Sequence, residues 1–182
     1  MPDVIKVRPW TDEELIAAGF RYFQRRKQLV MAGRLPEQAA PLEIHYPLES
    51  VIAEAGDVIC FEATNGYHKR LLDYEHWSVK YHIFMATYRN WKRQDWHPDA
   101  AVRHLMAHGC KPYYKHHGTW ARRLTEPTWV QSLESTKPML IPVGMWLLIG
   151  TSGEPWHNED AQFRERYIIN EDSNTDETGG TF

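Results

Sequence analysis

Cysteine is scarce in this chain. Only Cys60 and Cys110 occur among 182 residues, far apart and outside any C-x-x-C spacing. That argues against a disulfide framework or a zinc ribbon, and it suits a reducing cytoplasm. Long apolar runs are missing too. The longest, Met145–Ile149, has the length of a strand, whereas a membrane helix needs about 20 apolar residues. Residues 1–9 carry charge before any apolar block, so no secretory leader is expected. Glycines stand singly except Gly179-Gly180, which leaves no Gly-rich phosphate loop, and no G-x-S-x-G elbow occurs. Nor is there an excess of positive charge. The net value of −3 excludes a protein that coats polyanions through its overall field.

What the chain does have is aromatic side chains, 13% of residues with eight tryptophans, and a recurring pattern. Leu15-Ile16-Ala17-Ala18-Gly19, Tyr22-Phe23 and Met31-Ala32-Gly33-Arg34-Leu35 recur at offsets of 89 to 91. The second set is Leu105-Met106-Ala107-His108-Gly109, Tyr113-Tyr114 and Trp120-Ala121-Arg122-Arg123-Leu124. Downstream, Gly56 and Gly144 each open an apolar run. Trp77, Phe84 and Tyr88 stand at spacings of 7 and 4, and Trp156, Phe163 and Tyr167 repeat those spacings. Leu48-Glu49-Ser50 also recurs as Leu133-Glu134-Ser135, but at a different distance from the following glycine, and reads as coincidence.

The pattern predicts an α+β fold of two tandem related modules packed as a pseudo-symmetric pair. The modules cover 1–90 and 91–169, and a disordered acidic tail covers 170–182. Each would consist of a short helix, antiparallel strands with a Gly hairpin, and a second short helix. Thr11 is placed to cap the first helix, with Asp12, Glu13 and Glu14 in its first turn. Gly19 and Gly109 are placed to end the leading helices. Val58–Phe61 and Met145–Ile149 read as buried strands, with Asn65-Gly66 and Ser152-Gly153 as the hairpin signals that follow them. Residues i and i+4 share a helix face, so Phe84 with Tyr88 and Phe163 with Tyr167 would each anchor a helix on the sheet.

Basic and aromatic residues interleave in both halves. Between Tyr81 and Thr125 the local charge is +6, from eight Lys and Arg against two Asp. Planar side chains beside cations suit stacking and anion pairing. Tyr22, Arg25, Lys27, Arg34, Tyr113, Lys115, Trp120 and Arg123 are therefore the candidate ligand-binding residues. Plain strand alternation generates the same pattern. His104 and His108, at i and i+4, with Cys110 and His116 nearby, form a candidate zinc set, although no Glu follows His104 as in H-E-x-x-H.

The stretch Ala55-Gly56-Asp57-Val58-Ile59, followed by Trp77-x-Val79, Phe84 and Tyr88, resembles a small domain of uncharacterised bacterial and phage proteins. Those domains show a P-G-D-W-type turn and a downstream F-x-x-x-Y. Here Ala55 stands for the proline and Val58 for the tryptophan. The resemblance implies a module boundary and no activity. The expectation is thus a non-enzymatic binding or assembly protein that recognises a protein or anionic ligand, without membrane association. The alternatives are a nucleotide or nucleic-acid binder on the same basic strands, and a metal-dependent enzyme or sensor at the His/Cys cluster.

Overall fold

The computed structural model describes residues 2–170, so the predicted acidic tail lies outside the described residues apart from Asn170. The fold is mixed α+β, mostly strands arranged in several sheets, with four short α-helices among the described residues. In chain order these are β1 (Val4–Ile5), α1 (Asp12–Ala17), β2 (Arg21–Phe23), β3 (Val30–Arg34), β4 (Leu42–His45), β5 (Ser50–Ala53), β6 (Val58–Phe61) and β7 (His76–Val79). There follow α2 (Tyr81–Thr87), β8 (Tyr88–Asn90), α3 (Ala100–Ala107), β9 (Lys111–Lys115), β10 (Thr119–Arg123), β11 (Thr128–Val130), β12 (Met139–Ile141), β13 (Trp146–Ile149), β14 (Pro155–Asn158) and α4 (Asp160–Arg166). None of these helices is long and apolar enough to cross a membrane.

Two sheets dominate. One runs β7-β6-β3-β9-β8 and the other β14-β13-β10-β2. Each recruits a strand from the other half of the chain. Strand β9 pairs antiparallel with β3, Val30 opposite Tyr113. Strand β2 pairs antiparallel with β10, Tyr22 opposite Trp120. The leading helices travel with these strands. Leu105 and Val102 of α3 pack with Met31, Ile59, Phe61 and Tyr74, while Leu15 of α1 packs with Leu124, Ile141, Leu147 and Ile149.

Both sheets are covered on both faces, which explains their continuous apolar strands. Strand alternation sends Ile59 and Phe61 toward α3 and sends Val58 and Cys60 toward Phe84 of α2. In the second sheet Leu147 and Ile149 face α1, while Trp146 and Leu148 face Phe163 of α4.

Local chemistry sets the element ends. Thr11 accepts from the Glu14 amide and the Glu14 carboxylate accepts from the Thr11 amide, a reciprocal capping box. Gly19 and Gly109 take φ of 84° and 87° after their helices, where a side chain would be strained. The two glycine turns before β6 and β13 are built alike. The Gly56 amide donates to the Leu35 carbonyl and the Gly144 amide to the Leu124 carbonyl. Arg34 Nε then donates to the Gly56 carbonyl at 3.2 Å, and Arg123 Nε to the Gly144 carbonyl at 3.1 Å.

Three details differ from the sequence expectation. Strands β6 and β7 are joined by a long loop, so Asn65-Gly66 does not close a two-residue hairpin. Tyr88 and Tyr167 lie just beyond their helices in extended backbone, yet still stack on Phe84 and Phe163 at centroid distances of 4.5 and 4.8 Å. The β4-β5 ribbon and the β1-β11-β12 sheet are additions that periodicity did not reveal, because none of their strands holds the four-residue apolar run that marks β6 and β13.

If the leading helices are anchored across the chain as described, truncating either anchor should be costly. Leu15→Ala and Leu105→Ala should each lose about 2–5 kcal/mol in urea unfolding. Ile16→Ala, at an exposed position on the same helix as Leu15, should stay within about 0.5 kcal/mol.

Candidate binding cavity

A cavity of about 540 Å³ takes its lining from both large sheets and from the loops beside them. That volume is within the range typical of small-molecule sites, about 300–1,000 Å³. Trp77 of β7 and Tyr88 after α2 come from the first sheet and its helix. Trp156 of β14 and Tyr167 after α4 come from the second.

Cations enter this aromatic frame from the two strands that pair across the chain, β2 and β9. Arg25, just after β2, bridges to Tyr167 in antiparallel fashion, its guanidinium 5.2 Å from the Tyr167 ring centroid. Its Nε and Nη1 are buried and have no hydrogen-bond partner within the protein. Burial pulls its pKa below the ordinary guanidinium value, opposed by the nearby Tyr167 and Tyr88 hydroxyls. Lys115, at the end of β9, places Nζ 4.9 Å from the Trp156 centroid. Arg166 differs from Arg25 in being paired, with Nη2 at 2.8 Å from Glu75 Oε1.

Carboxylates line another part of the wall. Glu49 accepts from Ser132 Oγ at 2.8 Å, and burial raises its pKa despite that bond. His157 Nδ1 lies 3.9 Å from Glu49, but burial lowers the histidine's pKa and favours its neutral form. Burial lifts the Glu134 carboxyl to about 7, and it raises Glu154 as well. The loops carrying these groups meet: Val51 and Ser135 form an antiparallel bridge, and the Ile52 amide donates to the Glu134 carbonyl. The Leu-Glu-Ser tripeptide set aside as coincidence therefore supplies both Glu49 and Glu134 to one cavity.

Of the eight binding residues expected from sequence, Arg25 and Lys115 line this cavity. The other six do not join them there. Arg34 and Arg123 hold the glycine turns, and Arg34 also lies 4.0 Å over the Tyr81 ring. Tyr113 packs edge-on against Phe84 at 4.9 Å. Tyr22 stands edge-on to Trp120 at 5.8 Å and accepts from the Gly118 amide. Lys27 is exposed, 4.6 Å over Tyr114. The residues missed were Trp77, Trp156, Tyr88 and Tyr167. Their 7 and 4 spacing was visible but was assigned wholly to framework.

His104 and His108 lie edge to face with ring centroids 4.8 Å apart, but Cys110 and His116 do not join them as a third and fourth ligand. His104 Nδ1 hydrogen-bonds with the Tyr74 hydroxyl at 3.0 Å, and His108 Nδ1 lies 2.9 Å from the His104 carbonyl. Cys110 is buried in the core beside α3, its thiol pushed up to about 11 by desolvation. His116 instead sits against Tyr114 and His117. Among the described residues no three His, Cys, Asp or Glu side chains converge as a metal set.

No protein-family profile matches the chain, and neither a curated protein nor a solved structure does. Glu134 offers a direct check on the cavity's electrostatics. Its folded pKa lies above the unfolded value, so stability should fall as pH rises from about 4.5 to about 7. Glu134→Gln should remove that loss. Its Tm should exceed wild type by a few degrees at pH 8, with the gap closing near pH 4.5.

Proposed function

We propose that this chain is a non-enzymatic binding protein that holds a small, planar, anionic molecule in the cavity shared by its two large sheets. The observation that carries this reading is Arg25, whose Nε and Nη1 are buried without a protein partner at an aromatic-lined cavity. A buried donor without an acceptor costs about 1–3 kcal/mol, more when charged, so such a group is expected to have a function. Planar walls from Trp77 and Trp156 suit a flat ligand, and the guanidinium with Lys115 suits its negative charge.

The absence of turnover is read from the nucleophiles. Cys60 is fully buried and burial raises its thiol well above the ordinary value, so thiolate is disfavoured. Ser132, at the cavity, donates its hydroxyl hydrogen bond to Glu49 rather than to a histidine.

We further read the architecture as two related modules, 1–90 and 91–169, that exchange their leading helix and strand. Support comes from the matched glycine turns, the matched aromatic stacks, and the equivalent positions of β2 and β9 beside β10 and β3. In that reading Arg25 and Lys115 are counterparts, since each opposes the tyrosine that follows the closing helix.

Arg25→Met tests the binding reading. Thermal-shift and calorimetric titration with aromatic carboxylates and nucleoside monophosphates should find ligands for the wild type. The variant should bind them about 10–100-fold more weakly, the loss of charge-assisted hydrogen bonds. Without ligand its Tm should rise, because an apolar chain replaces an unpaired buried charge. Unchanged affinity in Arg25→Met would sink the proposal.

A further inference from the structure

Asn158 is a second residue of the cavity wall with an unmet hydrogen-bonding atom, of the opposite kind to Arg25. It is only 4% exposed, and its Oδ1 is buried with no partner in the protein. Its amide orientation follows from its neighbours. The Glu75 carboxylate, held by Arg166 at 2.8 Å, can only accept. Gln162 must therefore turn Nε2 toward Glu75, where the contact is 3.3 Å, which leaves its Oε1 facing Asn158. Asn158 answers with Nδ2, donating to Gln162 Oε1 at 3.0 Å and to the His157 carbonyl at 2.9 Å. Both Nδ2 donors are thereby used, and Oδ1 is left as an acceptor with nothing to accept.

We infer that Asn158 is a specificity residue, and that the ligand is a planar anion that also carries an N–H or O–H donor for Asn158 Oδ1. This rests on the cavity reading above. A ligand with an anionic group alone would meet Arg25 and leave the amide oxygen unsatisfied. One with a donor would satisfy both, and the relay from Arg166 through Glu75 and Gln162 keeps the amide from turning to suit the other. Discrimination by a buried polar group left unpaired is strong compared with discrimination by shape.

The test compares isosteric pairs that differ in one donor. The pairs are 4-aminobenzoate with 4-methylbenzoate, indole-3-acetate with benzofuran-3-acetate, and adenosine monophosphate with the 6-methylpurine riboside monophosphate. In calorimetric titration, the donor-bearing member of any pair that binds should do so at least about 10-fold more tightly. Asn158→Leu should bring that ratio close to one. Gln162→Leu, at a partly exposed position, should also shrink it by releasing the amide, which keeps the test open if the core substitution fails to fold. Equal affinities within every binding pair overturn the role of Asn158 and leave the Arg25 reading standing. Binding of none of the six overturns the cavity reading, and this inference with it.

Discussion

The antiparallel pairing of β3 with β9, and of β10 with β2, is the constraint on which the rest of the molecule depends. Each of these pairs joins segments about 80 to 100 residues apart in sequence. Each also brings its neighbouring helix with it, so that α3 closes the core over β3 and β6 and α1 closes the core over β10 and β13. Ordering such distant segments has a loop-closure cost, which the apolar surface buried beneath both helices must offset. These pairings tie strands from both halves of the chain into both sheets. Arg25 leaves β2 to bridge Tyr167, and Lys115 ends β9 opposite Tyr88, so the cations at the cavity are positioned by the same pairing that closes the sheets.

The cavity combines features that stability alone would not favour. A guanidinium is desolvated without a carboxylate partner, an amide oxygen is buried without a donor, and several carboxylates have pKa values raised by burial. Other charged groups of the same wall are matched, Lys80 with Asp57 at 3.0 Å and Arg166 with Glu75 at 2.8 Å. Unpaired buried polar atoms are destabilising, and Trp10, Trp91, His117 and Arg122 also carry them. What sets the cavity apart is that three such atoms, on Arg25 and Asn158, belong to the wall of one aromatic-lined space.

The framework was largely legible along the chain. Thr11 caps its helix, Gly19 and Gly109 follow theirs, and Val58–Phe61 forms a fully buried strand, because each depends on local conformational preference or on short-range periodicity. The aromatic-basic pattern was a poorer guide to the cavity. Arg34 and Arg123 carry the same charge as Arg25, yet they donate to turn carbonyls. Sequence neighbours of a cation do not reveal whether it will find an acceptor. The Leu-Glu-Ser recurrence was visible too, but the unequal spacing of Glu49 and Glu134 from the following glycines hid that their loops meet.

By itself, then, the sequence determined the leading helices, the Thr11 cap, the glycines that end those helices and the strands buried on both faces, since all of these follow from residues within a few positions of one another. Only the tertiary structure decided which half each leading strand would join, and that Arg25, Asn158, Trp77 and Trp156 would share one cavity. Burial and the lack of a partner are properties of everything that surrounds an atom. They arise only when residues tens of positions apart are packed together.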